Sequence, residues 1–327
     1  MTTIGLIGAG RIGRIHGMNV AAHAKAKLVA VADAVADAAT ALARDCGAKT
    51  MDAKAIIADR GIDALMICAP TDTHADLIEV GVKAGKAVFC EKPVDLSAAR
   101  VRRCLESVTQ AGRPVMIGFN RRFDPNFAAL KRRLAEGAIG KVELVTVISR
   151  DPGPPPLSYV AHSGGLFRDM MIHDLDMARF LLDDEPVEIS AVGSSLVDPA
   201  IGQAGDVDTA AVIMKTASGK IAQISNSRRA TYGYDQRIEV HGSGGLLRAG
   251  NIHETTVELA NADGFRADPI QNFFLQRYAA AYRAELDAFL AACAGAPPSP
   301  SVEDGLKAQL LADAATRSAQ TGEAVKL

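Results

Sequence analysis

Ile4-Gly5-Leu6-Ile7-Gly8-Ala9-Gly10-Arg11-Ile12-Gly13 is a short apolar run that breaks into three glycines spaced Gly-x-Gly-x-x-Gly. A β-type run before these glycines and a helix-like pattern after them give the spacing its meaning. The first glycine permits a tight turn, the second lets backbone approach a pyrophosphate, and the third lets helix pack close to strand. The N-terminus of the following helix offers N–H groups and a positive dipole end to phosphates. Glycine-rich turns also serve purely structural ends, so the motif needs support. Asp33 supplies it, closing a second apolar run, Leu28-Val29-Ala30-Val31-Ala32-Asp33, about twenty residues beyond the last glycine. A carboxylate there accepts ribose hydroxyls and repels a 2′-phosphate, and Ala34 and Val35 offer no cation to offset that repulsion. NAD is therefore expected over NADP. The competing role for Asp33 is an N-cap for the helix that follows.

Outward from this start, residues 4–7, 28–32, 64–68, 87–90 and 115–117 are strand candidates separated by alanine-rich, helix-like stretches. Near-continuous apolar strands alternating with helices predict a doubly wound parallel sheet covered on both faces. In such sheets ligands bind at the carboxyl edge. Lys92, in Cys90-Glu91-Lys92-Pro93, stands at that edge of the 87–90 strand, either as a surface lysine or as a ligand-facing cation. Ala69-Pro70-Thr71-Asp72-Thr73-His74 ends the strand before it, and Pro70 and Thr71 are expected beside the nicotinamide. His74 and His16 read as packing or capping residues.

After Arg121 the pattern changes to longer alternating segments, at 141–149, 189–197, 209–215, 220–225 and 237–241. These predict an α+β domain with an open, mainly antiparallel sheet, one face on helices and the other free for a partner. The expected domains are 1–120 and 121–327. Asp151-Pro152-Gly153-Pro154-Pro155-Pro156 cannot continue a strand and reads as an exposed loop. Helices are expected at 165–182, 273–293 and 302–321. The first carries Asp169 and His173, four apart and so on one helix face. On spacing alone that is an exposed pair worth about 0.2–0.5 kcal/mol. As chemistry it is an imidazole oriented by a carboxylate, a suitable general base because imidazole ordinarily titrates near about 6.5.

The chain has 327 residues, 48% hydrophobic and 23% charged, enough for two separately cored domains. Its 36 basic and 38 acidic residues leave a formal charge of -2, without the basic excess that nucleic-acid binding requires. No apolar stretch has the length of a membrane span or of a signal-peptide core, so a cytoplasmic protein is expected. The five cysteines show no Cys-x-x-Cys pairing, so neither a metal site nor a disulfide framework is expected.

These segments together resemble the glucose-fructose oxidoreductase and inositol dehydrogenase (Gfo/Idh/MocA) family over essentially the full length. The resemblance rests on Gly8 to Gly13, on Ala84-Gly85-Lys86 leading into Glu91-Lys92-Pro93, and on Gly118-Phe119-Asn120-Arg121-Arg122-Phe123. It rests also on Gly164-Gly165-Leu166-Phe167-Arg168-Asp169-Met170-Met171-Ile172-His173-Asp174. Thr231-Tyr232-Gly233-Tyr234-Asp235-Gln236-Arg237 is most similar to the inositol 2-dehydrogenase branch, in which this segment contributes tyrosines near the substrate.

The resemblance implies an NAD-dependent oxidation of a cyclic polyol, first of all myo-inositol to its 2-keto product, by a homotetramer that needs no metal. Lys92, Asp169 and His173 become the catalytic set: His173 takes the hydroxyl proton as hydride leaves for C4 of NAD, Asp169 orients the imidazole, and Lys92 steadies the reacting oxygen. The expected cofactor contacts are Gly8, Gly10, Arg11, Ile12, Gly13, Asp33, Pro70, Thr71, Glu91 and Lys92. The expected polyol contacts are Lys92, Asn120, Asp151, His162, Asp169, His173, Tyr232 and Tyr234, with Arg121 and Asp174 as further candidates. A sugar or anhydrosugar dehydrogenase using the same trio, and a dinucleotide-binding protein without turnover, are the alternatives.

Overall fold

In the computed structural model, which describes residues 1–327 apart from the side chain of Ala161, the apolar runs of the first third lie side by side as a parallel sheet. The elements are β1 (Thr2–Ile7), α1 (Arg11–Ala22), β2 (Ala26–Ala32), α2 (Ala36–Cys46), β3 (Lys49–Thr50), α3 (Ala53–Ala58), β4 (Ala64–Ile67), α4 (His74–Lys83), β5 (Ala87–Glu91), α5 (Ala98–Ala111) and β6 (Val115–Gly118). The strand order is β3-β2-β1-β4-β5-β6, every neighbour parallel. The order reverses between β1 and β4, the switch point at which doubly wound sheets bind ligands. Ile4, Leu6, Leu65, Val88 and Phe89 are fully buried, which is why these strands read as unbroken hydrophobic runs. Each such side chain contributes about 1.5–3 kcal/mol.

The second series comprises α6 (Pro125–Ala135), β7 (Val142–Arg150), α7 (Leu157–Ser163), α8 (Gly165–Asp169), α9 (Ile172–Leu182), β8 (Pro186–Ser194), α10 (Pro199–Gln203), β9 (Thr209–Thr216), β10 (Ile221–Ser227), β11 (Asp235–Gly242), β12 (Gly245–Ala249), β13 (Glu258–Asn261), β14 (Gly264–Ala267), α11 (Phe274–Arg277), α12 (Ala279–Cys293), α13 (Val302–Thr321) and β15 (Val325–Lys326). Its large sheet is ordered β12-β11-β7-β10-β9-β8-β15. All neighbours are antiparallel except β7 and β10, which run parallel, so the sheet is mainly antiparallel, as expected. Val145, Val147, Val212, Met214, Ala222 and Ile224 form its buried face, and α9 packs on β7 and β10.

Met1–Asn120 with Ala281–Gln309 form one compact unit, and Arg121–Ala280 with Leu310–Leu327 form a second. The expected domain 121–327 therefore gives up residues 281–309. Phe289 meets Phe89 edge-on at 5.7 Å, and the Ile117 N–H donates to Pro300 O at 2.9 Å, so this stretch shares the parallel sheet's core.

Two expected helices are each broken in two. At 165–182 the ladder slips: the N–H groups of Met170 and Met171 both donate to Leu166 O, and the Asp174 N–H then starts afresh on Met171 O. At 273–293 the break falls at Tyr278, where Arg277 pairs with Asp124 and the Tyr278 hydroxyl donates to Gln236 Oε1 at 3.0 Å. Among the described residues no helix is long and apolar enough to cross a membrane.

Candidate active site

In the first unit the glycine turn is shaped by steric necessity. Gly8 has φ of 102°, and a Cβ built on it would stand 2.4 Å from the Cys68 carbonyl. A Cβ on Gly13 would stand 1.8 Å from Gly8 O, so only glycine lets α1 come this close to the turn. Gly10 differs: nothing lies within 4 Å of its would-be Cβ, and it opens α1 with no side-chain cap. The cradle thus has free space over uncapped N–H groups, which fits a pyrophosphate.

Asp33 stands at the end of β2. Its Oδ2 accepts from the Ala9 N–H at 2.5 Å and its Oδ1 from the Val35 N–H at 2.7 Å. The carboxylate is thereby fixed to the glycine turn, and each oxygen keeps acceptor capacity for a ribose hydroxyl. It does not cap α2, whose N-cap is Val35. Arg11 is exposed and Ile12 half-buried on the first turn of α1, while Thr71 begins a 3-10 turn that follows exposed Pro70. Glu91 and Lys92 are half-buried at the end of β5. His74 braces this edge, with Nδ1 2.8 Å from Pro93 O and Nε2 2.7 Å from Ala69 O, the structural role its position suggested.

In the second unit Asp169 ends α8 and His173 is the second residue of α9, so the pair straddles the break rather than sharing one regular helix. What holds α9 is a set of buried charges. Asp174, 0% exposed, pairs with Arg121 and accepts from Asn226 Nδ2 at 3.0 Å. Two residues on, Asp176 takes the Arg122 guanidinium in a fork, with Nε to Oδ2 at 2.7 Å and Nη2 to Oδ1 at 2.5 Å. Arg121 and Asp174 were candidates for hydroxyl contacts; the structure commits them to each other. Their consequence for the site is a fixed backbone under His173.

Asp169 accepts from the Tyr159 hydroxyl at 2.9 Å, and Arg228 Nη2 lies 3.8 Å from its Oδ2. Arg228 is 1% exposed, stands 3.7 Å from Asp206 Oδ2, and its Nε and Nη2 have no hydrogen-bond partner among the described residues. Asp206 in turn accepts from the Leu166 N–H at 2.9 Å, at the start of α8. Tyr159, Asp206 and Arg228 were not singled out from sequence. They come from α7, the loop before β9 and the residue after β10, and no local spacing announces them.

Of the other expected polyol contacts, Asn120 is 4% exposed in a 3-10 turn and His162 is exposed on α7. The Tyr232 hydroxyl is engaged, donating to Asp235 Oδ2 at 2.7 Å and accepting from Arg150 Nη1 at 2.9 Å. Tyr234 is 6% exposed, edge-on to Tyr278 at 6.0 Å, and burial pushes its hydroxyl well above the usual range.

Asp151 lies nearer the charges that matter. Burial raises its carboxyl to about 6 against the opposing pull of Arg121 and Arg228. A carboxyl raised on folding stabilises the fold fully below the ordinary value of 3.8, and that contribution is lost as pH rises through about 6. Asp151→Asn is therefore expected to remove this part of the fall in Tm over that window, as measured by calorimetry. Parallel Tm curves for the two proteins contradict the assignment.

Two family models cover most of the chain: "Oxidoreductase family, NAD-binding Rossmann fold" matches residues 2–119, and "GFO/IDH/MocA C-terminal domain" matches residues 127–248. The chain is 56% identical over 315 residues to the inositol 2-dehydrogenase of Rhizobium meliloti (strain 1021), covering 96% of each. Its fold is similar to that of a myo-inositol dehydrogenase from Corynebacterium glutamicum ATCC 13032, with TM-score 0.96 and 46% identity over 100% of this chain and 99% of the other. It is similar also to scyllo-inositol dehydrogenase from Lactobacillus casei with bound NAD(H) and scyllo-inositol, with TM-score 0.93 and 30% identity over 100% and 99%.

Proposed function

Because this chain belongs to the GFO/IDH/MocA oxidoreductase family and carries its NAD-binding Rossmann fold, we propose that it oxidises a cyclic polyol, myo-inositol at the 2-hydroxyl foremost, to the ketone. The observation that carries the reading is the 56% identity to an inositol 2-dehydrogenase across 96% of both chains. When bound, NAD supplies the hydride acceptor, and the protein's own residues orient the polyol and manage its proton.

His173 is the general base that takes the hydroxyl proton. Asp169 orients the imidazole and favours its charged form, and is itself held by Tyr159 and the nearby Arg228 cation. Lys92 donates to the reacting oxygen and stabilises the negative charge that develops there. Asp151, beside the same charges, accepts from a ring hydroxyl, and Asn120, His162, Tyr232 and Tyr234 remain candidates for the others. Asp33 disfavours a 2′-phosphate, so NAD is used in preference to NADP.

The test is a panel of myo-inositol, scyllo-inositol and a pyranose with NAD and with NADP, followed at the nicotinamide absorbance. The fastest rate is expected with myo-inositol and NAD. Turnover of the pyranose with none of either inositol sinks the inositol reading and favours a sugar dehydrogenase. No turnover of any of them, with NAD bound, favours a binding protein.

The outward face of the second sheet carries Val192, Ile213 and Ile221, which are 67%, 57% and 41% exposed. Three large apolar side chains exposed on one sheet face, on the neighbouring strands β8, β9 and β10, support an association surface and with it a homotetramer. Sedimentation equilibrium should give the mass of four 34.3 kDa chains, and a monomer at micromolar concentration contradicts it. The cytoplasm is the proposed compartment, in keeping with five cysteines that are all free.

A further inference from the structure

Inside the first unit, apart from the glycine turn, three titratable side chains meet: His16 on α1, Glu91 at the end of β5 and Glu285 on α12. One nitrogen or oxygen from each lies within 4.8 Å of the other two. His16 is 1% exposed, its Nε2 is 2.7 Å from Glu91 Oε1, and its ring is flanked by Phe89 at 4.9 Å and Tyr282 at 5.5 Å. Glu285 is 0% exposed, and neither of its carboxylate oxygens has a hydrogen-bond partner among the described residues. Glu91 immediately precedes Lys92, and a Cβ on Gly118 would stand 2.9 Å from its Oε2.

We infer that His16 and Glu285 are positioning residues that hold the Glu91 side chain from two sides and so fix the strand end carrying Lys92. The inference rests on the role given to Lys92 in the proposed reaction. Two carboxylates this close in an apolar interior do not both ionise. Burial first, and Glu91 second, push Glu285 well above the carboxylate range. Glu285 is thus neutral, and His16 Nε2 contacts Glu91 from the other side. The other titratable groups interacting with the pair are Cys68, whose thiol is raised by burial and then by Glu91 and Glu285, and Cys90, raised by burial and then by Cys68 and Glu91. A divalent cation is the competing occupant. His16 argues against it, because a metal-bound imidazole normally donates its second N–H to an acceptor, and the buried Nδ1 has none.

The test uses the full chain with NAD and the preferred polyol. Glu285→Leu and His16→Leu are each expected to lower kcat about tenfold while NAD Kd and polyol KM stay within about twofold. Glu285→Gln, which keeps shape and a donor, and His16→Gln, which keeps a donor, recover most of that loss. Thermal unfolding without NAD gives an arm that needs no turnover and no leucine variant. The stability tied to the Glu285 proton is present at acid pH and lost as pH rises above the carboxylate range, so the Tm of Glu285→Gln relative to wild type should climb as pH rises above that range. Unchanged kcat in both leucine variants, or NAD affinity falling in step with kcat, overturns the positioning role. A Tm difference flat with pH, or a divalent metal kept by dialysed wild type and lost in Glu285→Gln, overturns the neutral carboxyl. If wild type turns over no polyol, the proposed reaction fails and Lys92 positioning fails with it, while the Tm arm still decides the state of Glu285.

Discussion

Replacing His173 by alanine is expected to lower kcat for polyol oxidation by about a hundredfold or more, because it removes the group proposed to take the hydroxyl proton. The backbone at this position is not at risk. Asp174 and Asp176, the residues that anchor α9, stay paired with Arg121 and Arg122, and Asn226 continues to donate to Asp174. His173 is itself only half-buried, so its truncation opens no cavity in the core. NAD affinity, which rests on the glycine turn and Asp33, should stay within about twofold. Added imidazole should restore part of the rate. The measurements are kcat against pH and NAD titration, and a rate within about threefold of wild type removes His173 from the proton transfer.

Gly13→Ala is expected to be the most damaging single methyl in the cofactor unit. The new Cβ would stand 1.8 Å from Gly8 O and 2.9 Å from Gly8 C, both backbone atoms that no rotamer change can move. Gly8 cannot retreat, because it is pinned against the Cys68 carbonyl at a φ that other residues rarely adopt. Either α1 shifts away from β1 or the turn opens, at a cost of roughly 3 kcal/mol or more. Loss of NAD binding at any attainable concentration and a Tm lower by several degrees should follow. Gly10→Ala separates packing from binding. With nothing within 4 Å it should leave Tm unchanged, yet weaken NAD by filling the space the pyrophosphate uses. A Gly13→Ala protein that binds NAD normally contradicts this reading of the turn.

The contrast between these two sites shows what a sequence carries on its face. The glycine spacing and Asp33 lie within one strand-turn-helix-strand stretch, so local geometry suffices, and the Ala9 N–H to Asp33 contact follows from it. The support of His173 is different. Arg121 and Arg122 lie more than fifty residues before the aspartates they grip, and nothing in their own neighbourhood names the partner. The same holds for Arg228, which reads as one more cation in Ser227-Arg228-Arg229 until it is found buried beside Asp169 and Asp206. Apolar periodicity found the helical stretches at 165–182 and 273–293 but not their interruptions, which arise where buried polar side chains pull backbone out of register. Nor does periodicity say which core a helix joins: 281–309 is as amphipathic as its neighbours, and only the contacts of Phe289 and Pro300 assign it to the parallel sheet.

The central claim is that hydride leaves a polyol carbon for NAD while the protein handles the proton. Myo-inositol carrying deuterium at C2, incubated with the enzyme and NAD, tests it most directly. One deuterium should appear at C4 of the reduced nicotinamide for each 2-keto product formed. Reduced nicotinamide without the label, or product formed without reduction of NAD, contradicts it.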